Sequence, residues 1–268
     1  MSECFVKFEN PVSKETINYL VVEYLKYTLY SRGQFPLPLD QLKRTIQTTT
    51  EKFEAVKIDD HTVYYDENCQ HPSSKPKKRS ERTKQNFMDS ITRFDKFFIQ
   101  LQEILQNEEV LEVVLSLGAN MMNPRELHRI TLPVYCQETT CANDPSKFQR
   151  YRLEFFKILM ESSILQDIGL DNPTSISVLL KLKSGVTLTE YMEQKRFYAP
   201  PQKCKQVILR FDSNSVANFD LECSPEKNSK SNAAVACQSS DLWVKLKSEL
   251  KGFKILKESV TDLTVNIF

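Results

Sequence analysis

The chain has 268 residues, with 36 basic against 35 acidic side chains and a net charge of +1, so it can bury a substantial core and carries no global field toward nucleic acid or a membrane surface. Seven cysteines, at 4, 69, 136, 141, 204, 223 and 237, are an odd number without framework spacing and read as reduced thiols of a cytosolic or nuclear protein. Only five glycines occur, which argues against a phosphate-cradling loop; no basic-then-apolar leader and no run of roughly 18 apolar residues is present, so a soluble intracellular protein is expected.

In chain order, Ser13 after Pro11 reads as a helix cap, and Ile17, Val21, Tyr24 and Thr28 follow at helical spacing to about Tyr30. Ser31-Arg32-Gly33 stops the helix, since glycine takes the left-handed terminal conformation. Pro36 and Pro38 hold the next residues extended, and Asp40 opens a short second helix, DQLKRTIQ, with Leu42 and Ile46 four apart. Residues 66–84, with Pro72, Pro76 and the basic run Lys75, Lys77, Lys78, Arg79, Arg82 and Lys84, have almost nothing to bury and read as a flexible loop within a single domain spanning 1–268. The same run is compatible with a nuclear-import signal or a patch for an acidic partner.

Phe87, Ile91, Phe94, Phe98, Leu101 and Leu105 alternate spacings of four and three, which predicts a long core helix over about 84–106 whose other face carries Asp89, Arg93, Lys96, Gln100 and Asn107. The β-branched and leucine-rich run VLEVVLSL, closing at Gly118, predicts a central strand. Asn123-Pro124 before RELHRI reads as the start of a short helical turn, and Asp144-Pro145 as the start of a second long helix. That helix has Phe148, Leu153, Phe155, Phe156, Leu159 and Met160 to bury and is expected to end near Gly169.

From Ser175 the period changes to two. Ile176, Val178, Leu180 and Leu182 form one face, and Ser184-Gly185 followed by Val186 and Leu188 signals a hairpin. A strand with Val207, Leu209 and Phe211 inward follows Pro200-Pro201, residues 213–240 read as a mobile loop, and strands are expected around 242–246, 253–256 and 263–267. Helices with one strand first, then a run of strands, indicate an α+β domain.

Catalytic chemistry finds little support. His61, His71 and His128 stand in separate contexts, and Cys69 with His71 or Cys136 with Cys141 would be zinc half-sites without a second pair. No Gly-x-Ser-x-Gly elbow occurs, and pairs such as Glu108-Glu109 sit among polar neighbours. A non-enzymatic protein without cofactor or metal is expected.

Two blocks carry a resemblance. Tyr30-Ser31-Arg32-Gly33-Gln34-Phe35-Pro36-Leu37-Pro38-Leu39-Asp40-Gln41-Leu42-Lys43 resembles the first-helix exit and second helix of the comet family. Val114-Leu115-Ser116-Leu117-Gly118-Ala119-Asn120, continuing to Asn123-Pro124-Arg125-Glu126-Leu127, is similar to the family's strand and turn after its long helix. Ile158-Leu159-Met160, Tyr198 with Pro201, and Trp243 followed by Lys251-Gly252-Phe253-Lys254 match more weakly, in the same order.

The resemblance implies a HORMA-like fold, a mixed, mostly antiparallel sheet backed by three helices with a carboxy-terminal belt. It implies binding to the closed form of the checkpoint HORMA protein Mad-two around the central helix, and presentation of Mad-two to a hexameric AAA+ remodelling ATPase. Spindle-assembly checkpoint complexes would then be dismantled, in nucleus and cytoplasm and at the kinetochore or spindle in mitosis. Partner-binding positions are Ser31, where relatives carry a glutamine, Arg32, Arg93, Lys96, and Phe155 with Phe156, for which core packing is an equal alternative. The family's ATPase-docking Pro-Lys pair falls on Gln194-Lys195, where only the lysine is retained. The same residues leave open an adaptor for another HORMA protein in meiosis or DNA repair, and a nucleic-acid module using residues 75–84.

Overall fold

The computed structural model describes residues 2–10, 12–44, 76–133, 145–162, 164, 170, 172–183, 186, 188–212 and 242–254. In chain order the elements are β1 (Ser2–Val6), α1 (Lys14–Ser31), α2 (helical over 39–44), α3 (Pro76–Asn107), β2 (Val110–Asn120), β3 (Asn123–Thr131), α4 (Pro145–Glu161), β4 (Ser175–Leu182), β5 (Met192–Gln194), β6 (Lys205–Phe211), β7 (Leu242–Leu246) and β8 (Leu250–Lys251). The chain divides into two compact units, one of Met1–Leu25, Gln100–Asp167 and Thr174–Glu249, the other of Lys26–Ile99, Ile168–Pro173 and Leu250–Phe268.

The first unit is built on a sheet in the order β1-β6-β3-β2-β4-β7-β5. β6 runs parallel to β1 and β3, and the other neighbours are antiparallel. β2 is the middle strand of the seven, and Val113, Val114, Leu115 and Leu117 are all fully buried; consecutive buried residues mean that both faces are covered, which is why the strand reads as an unbroken apolar run. Across its bulge, a Cβ on Gly118 would lie 2.8 Å from Pro124 Cα, so glycine is what allows β3 to close in. The β2–β3 turn is made by Asn120, whose Oδ1 accepts from the N–H groups of Met122 (3.0 Å) and Asn123 (2.8 Å).

α1 starts as its sequence predicts: Ser13 Oγ accepts from the Thr16 N–H at 3.3 Å. Ile17, Leu20, Val21, Val22, Tyr24 and Leu25 are buried on several sides of the helix, the pattern of an internal rather than a surface helix. Asn18 Nδ2 donates to the Leu105 carbonyl at 2.7 Å, satisfying an acceptor in the last turn of α3.

The second unit holds the end of α1, which closes with Gly33 at φ +66°. The Gly33 N–H donates to Tyr30 O and the Gln34 N–H to Leu29 O, both at 2.9 Å, the two bonds of a Schellman ending. Its core is a phenylalanine cluster. Phe35 meets Phe94 edge-on at 4.6 Å, and Phe253 contacts Phe35 (5.8 Å), Phe94 (6.0 Å) and Phe87 (5.4 Å). The Phe253 N–H donates to Gln34 O at 3.0 Å.

Several expectations need correction. α3 begins at Pro76 rather than near 84, so residues 76–84 are helical instead of loop, while 66–75 and 213–240 lie outside the described residues. The Asn123-Pro124 segment is strand β3, not a helical turn: Leu127, His128 and Ile130 gain burial between β2 and β6, which overrides the local capping signal. β4 does not fold back on the next segment. Its edges are taken by β2 and β7, Val186 and Leu188 lie in no strand, and Ser184-Gly185 fall outside the described residues. α4 ends at Glu161, short of Gly169; of the strand expected at 253–256, Phe253 and Lys254 lie in no strand, with Phe253 held by the phenylalanine cluster, while residues 255–256 lie outside the described residues. Strand 263–267 lies outside the described residues.

Candidate partner-docking faces

α4 carries more apolar residues than one face can bury, and the structure sorts them. Phe155 is 0% exposed, its ring stacked on Phe211 of β6 (5.8 Å, 16°) and edge-on to Tyr24 of α1 (6.4 Å, 70°). Tyr151 of the same helix meets Phe8 edge-on at 5.7 Å. On the opposite side, Leu153, Phe156 and Met160 stand three and four apart, within roughly 60° of arc. Leu153 is 64% and Met160 50% exposed, with Phe156 half-buried between them.

The flanks of this stripe are charged. Arg150 and Lys157 are exposed on one side, with Lys157 Nζ 4.0 Å from Glu161 and, beyond them, Glu154 accepting from the Glu9 N–H at 3.2 Å; on the other, Arg152 pairs with Glu23 of α1 at 3.2 Å. An apolar stripe with a polar rim on a helix fixed from behind is the construction of a protein-docking face.

The residues singled out from sequence separate accordingly. Phe155 is a core residue and offers nothing to a partner, whereas Phe156 reaches the surface. In the second unit Arg32 is 0% exposed, so its guanidinium is a structural group, and Ser31 donates from Oγ to its own helix at Thr28 O (3.0 Å). Arg93 and Lys96 are exposed three apart on α3 and share that face with Ile99, an exposed apolar residue among charges. In the first unit Gln194 is exposed at the end of β5, and the Lys195 ammonium is paired with Glu193. Sequence reading missed Leu153 and Met160 as surface residues. The signal was available, since their angular positions on the helix oppose Phe155 and Leu159.

Burial pushes the Cys4 and Cys204 thiols up, which keeps them protonated. Among the described residues no cluster of three His, Cys, Asp or Glu side chains is arranged to hold a metal, and no helix is long and apolar enough to cross a membrane. Cys69, His71, Cys136 and Cys141 lie outside those residues.

Residues 2–160, from β1 to the last exposed residue of the α4 stripe, match the family described as "p31comet: Mad1 and Cdc20-bound-Mad2 binding". The chain belongs to the p31comet family. It is similar to the MAD2L1-binding proteins of Homo sapiens and Mus musculus, 24% identical to each over 127 residues. That stretch is 47% of this chain, and 41% of the human and 40% of the mouse protein. The chain therefore spans about two fifths of the length of either relative in these matches.

Proposed function

We propose that this chain is a non-enzymatic adaptor with a HORMA-like fold that binds the closed, Mad1- or Cdc20-engaged conformer of Mad2. It then presents that conformer to a hexameric AAA+ remodelling ATPase, so that checkpoint complexes come apart and the spindle-assembly checkpoint is silenced in nucleus and cytoplasm. The observation that carries the reading is the exposed Leu153–Phe156–Met160 stripe on a helix within the family match. A stable interface covers about 800 Å² per partner, with a few apolar or aromatic anchors supplying most of the affinity. Three such side chains in one line fit the role of anchors; exposed Arg93 and Lys96 on α3 are candidates for contacts that set approach and orientation.

Size-exclusion chromatography with Mad2 locked closed and, separately, locked open tests this directly. Co-elution with the closed form alone is expected. Equal binding to both forms, or to neither, overturns the proposal.

A further inference from the structure

Lys77, Lys78, Arg79, Arg82 and Lys84 fall in the first turns of α3, and Glu81 is the one carboxylate among residues 76–86. That stretch adds roughly 16 Å of helix ahead of Phe87, the first aromatic of the α3 stripe and a contact of Phe253 at 5.4 Å. The chain as a whole has a net charge of only +1, so the run is a local concentration of charge and not one part of a basic protein.

The helix fixes where the run sits. At about 100° per residue, its five cationic positions fall within roughly 220° of the circumference. The remaining arc holds Pro76, Ser80 and Thr83 and continues the stripe of Phe87, Ile91 and Phe94, of which Ile91 and Phe94 are buried. Lys78 lies about five turns from Lys96, and Arg82 about three turns from Arg93. Lys96 and Arg93 are exposed, as are Gln85 and Asn86, so the run's positions continue the side of α3 that faces solvent. Asp89 stands on the same side, where it accepts from Gln85 Nε2 at 2.9 Å, and it bounds the basic stretch at its carboxyl end.

The composition selects the partner. Apart from Pro76, residues 76–86 include no apolar residue. An ordinary protein interface has no anchor there, and a helix seated in a lipid surface needs an apolar face that the run lacks. No aromatic is interleaved, so the bases of a single strand have nothing to stack on. Charge alone remains, and a phosphate backbone is what charge alone binds. Cations spread over more than half the circumference exceed what a flat acidic surface touches, whereas a groove meets a helix on both sides. The major groove of B-DNA, about 12 Å wide, admits an α-helix, while that of duplex RNA is too narrow.

We propose that the amino-terminal turns of α3, from Lys77 to Lys84, are a docking element for the phosphate backbone of duplex DNA. It binds without regard to sequence, because phosphate contacts position a protein and read no bases. The inference is independent of the adaptor reading and uses none of the residues assigned to Mad2.

The test is fluorescence anisotropy of a short labelled DNA duplex titrated with the full chain between about 50 and 200 mM salt. Binding should weaken with salt at a slope of about −4 on logarithmic axes, from four to five neutralised phosphates at roughly −0.9 each. Lys78→Gln combined with Arg82→Gln should reduce that slope by about two and leave the unfolding midpoint and closed-Mad2 binding unchanged. The charge-preserving pair Lys78→Arg and Arg82→Lys should behave as wild type. A wild-type slope near zero, or an unreduced slope in the glutamine pair, overturns the inference. Equal binding to a single strand of the same length overturns it too. So does polyglutamate that competes as well as unlabelled duplex, which would mark the run as a site for an acidic protein.

Discussion

Tyr24 of α1 and His128 of β3, both fully buried, meet with the tyrosine hydroxyl 2.8 Å from His128 Nδ1. On the other side of the imidazole, Nε2 lies 3.2 Å from Glu126 Oε1, and that oxygen is 3.7 Å from Lys205 Nζ on β6. A polar chain therefore ties α1 to two strands through the core of the first unit. Tyr24→Phe keeps the ring and removes the hydroxyl, and with it the bond to His128 Nδ1, at a fully buried position. We expect a loss of about 1–3 kcal/mol, read as a lower urea midpoint at unchanged slope; an unmoved midpoint would show that the hydroxyl contributes nothing.

The adjacent rings of Phe155 and Phe156, 5.5 Å apart, should behave as opposites. Phe155→Ala opens a cavity between Phe211 and Tyr24 and is expected to cost about 3–5 kcal/mol. Phe156→Ala, at a half-buried position, should cost under about 1.5 kcal/mol while weakening closed-Mad2 binding about tenfold or more. Calorimetric titration beside a denaturation curve separates the two. The reverse pattern would return the contact to Phe155.

Gly33 ends α1 in the left-handed region, φ +66°, where an added Cβ would lie 3.3 Å from the Leu170 carbonyl oxygen. Gly33→Ala is expected to lower stability by about 1–2 kcal/mol through backbone strain. Gly33→Asn should lose less, because asparagine tolerates that conformation. Thermal unfolding of the two variants ranks them; equal melting temperatures would mean that the glycine's freedom is not what matters there.

Elements whose own pattern coincides with their burial were legible in the sequence. The α3 stripe from Ile91 to Leu105 is buried as spaced, the apolar run of β2 became the middle strand, and Ser13 and Gly33 bound α1 as their chemistry dictates. What failed depended on pairing. Asn123-Pro124 carries a helix-start signal that only neighbouring strands overrule, β4 found its partners in β2 and β7 instead of the residues after it, and β1 has too short a pattern to stand out before β6 pairs with it. The candidate faces were half legible. α4 was recognised, but the choice between Phe155 and Phe156 needs the helix's rotation, which is set by Phe211 and Tyr24 from distant parts of the chain.

Tyr198 makes the pH dependence testable. Burial first, and then the nearby charge of Glu112, push its hydroxyl up to about 12, against an opposing effect of Arg129. That hydroxyl has no hydrogen-bond partner among the described residues. Tyrosine is neutral in both states at pH 7, so the shift contributes no pH dependence there. Above the unfolded value of about 10, the unfolded chain releases the proton that the folded chain still holds, and stability falls as pH rises. The loss should run from about pH 10 to about pH 12 and total about 3 kcal/mol. Tyr198→Phe removes both the titration and the unpartnered hydroxyl, so it should be neutral or stabilising by about 1 kcal/mol at pH 7 and flatten the alkaline limb. Urea midpoints of the two proteins from pH 7 to 11.5 decide the matter: converging or crossing curves are not expected, a gap that widens with pH is, and parallel decline would place the alkaline sensitivity in other residues.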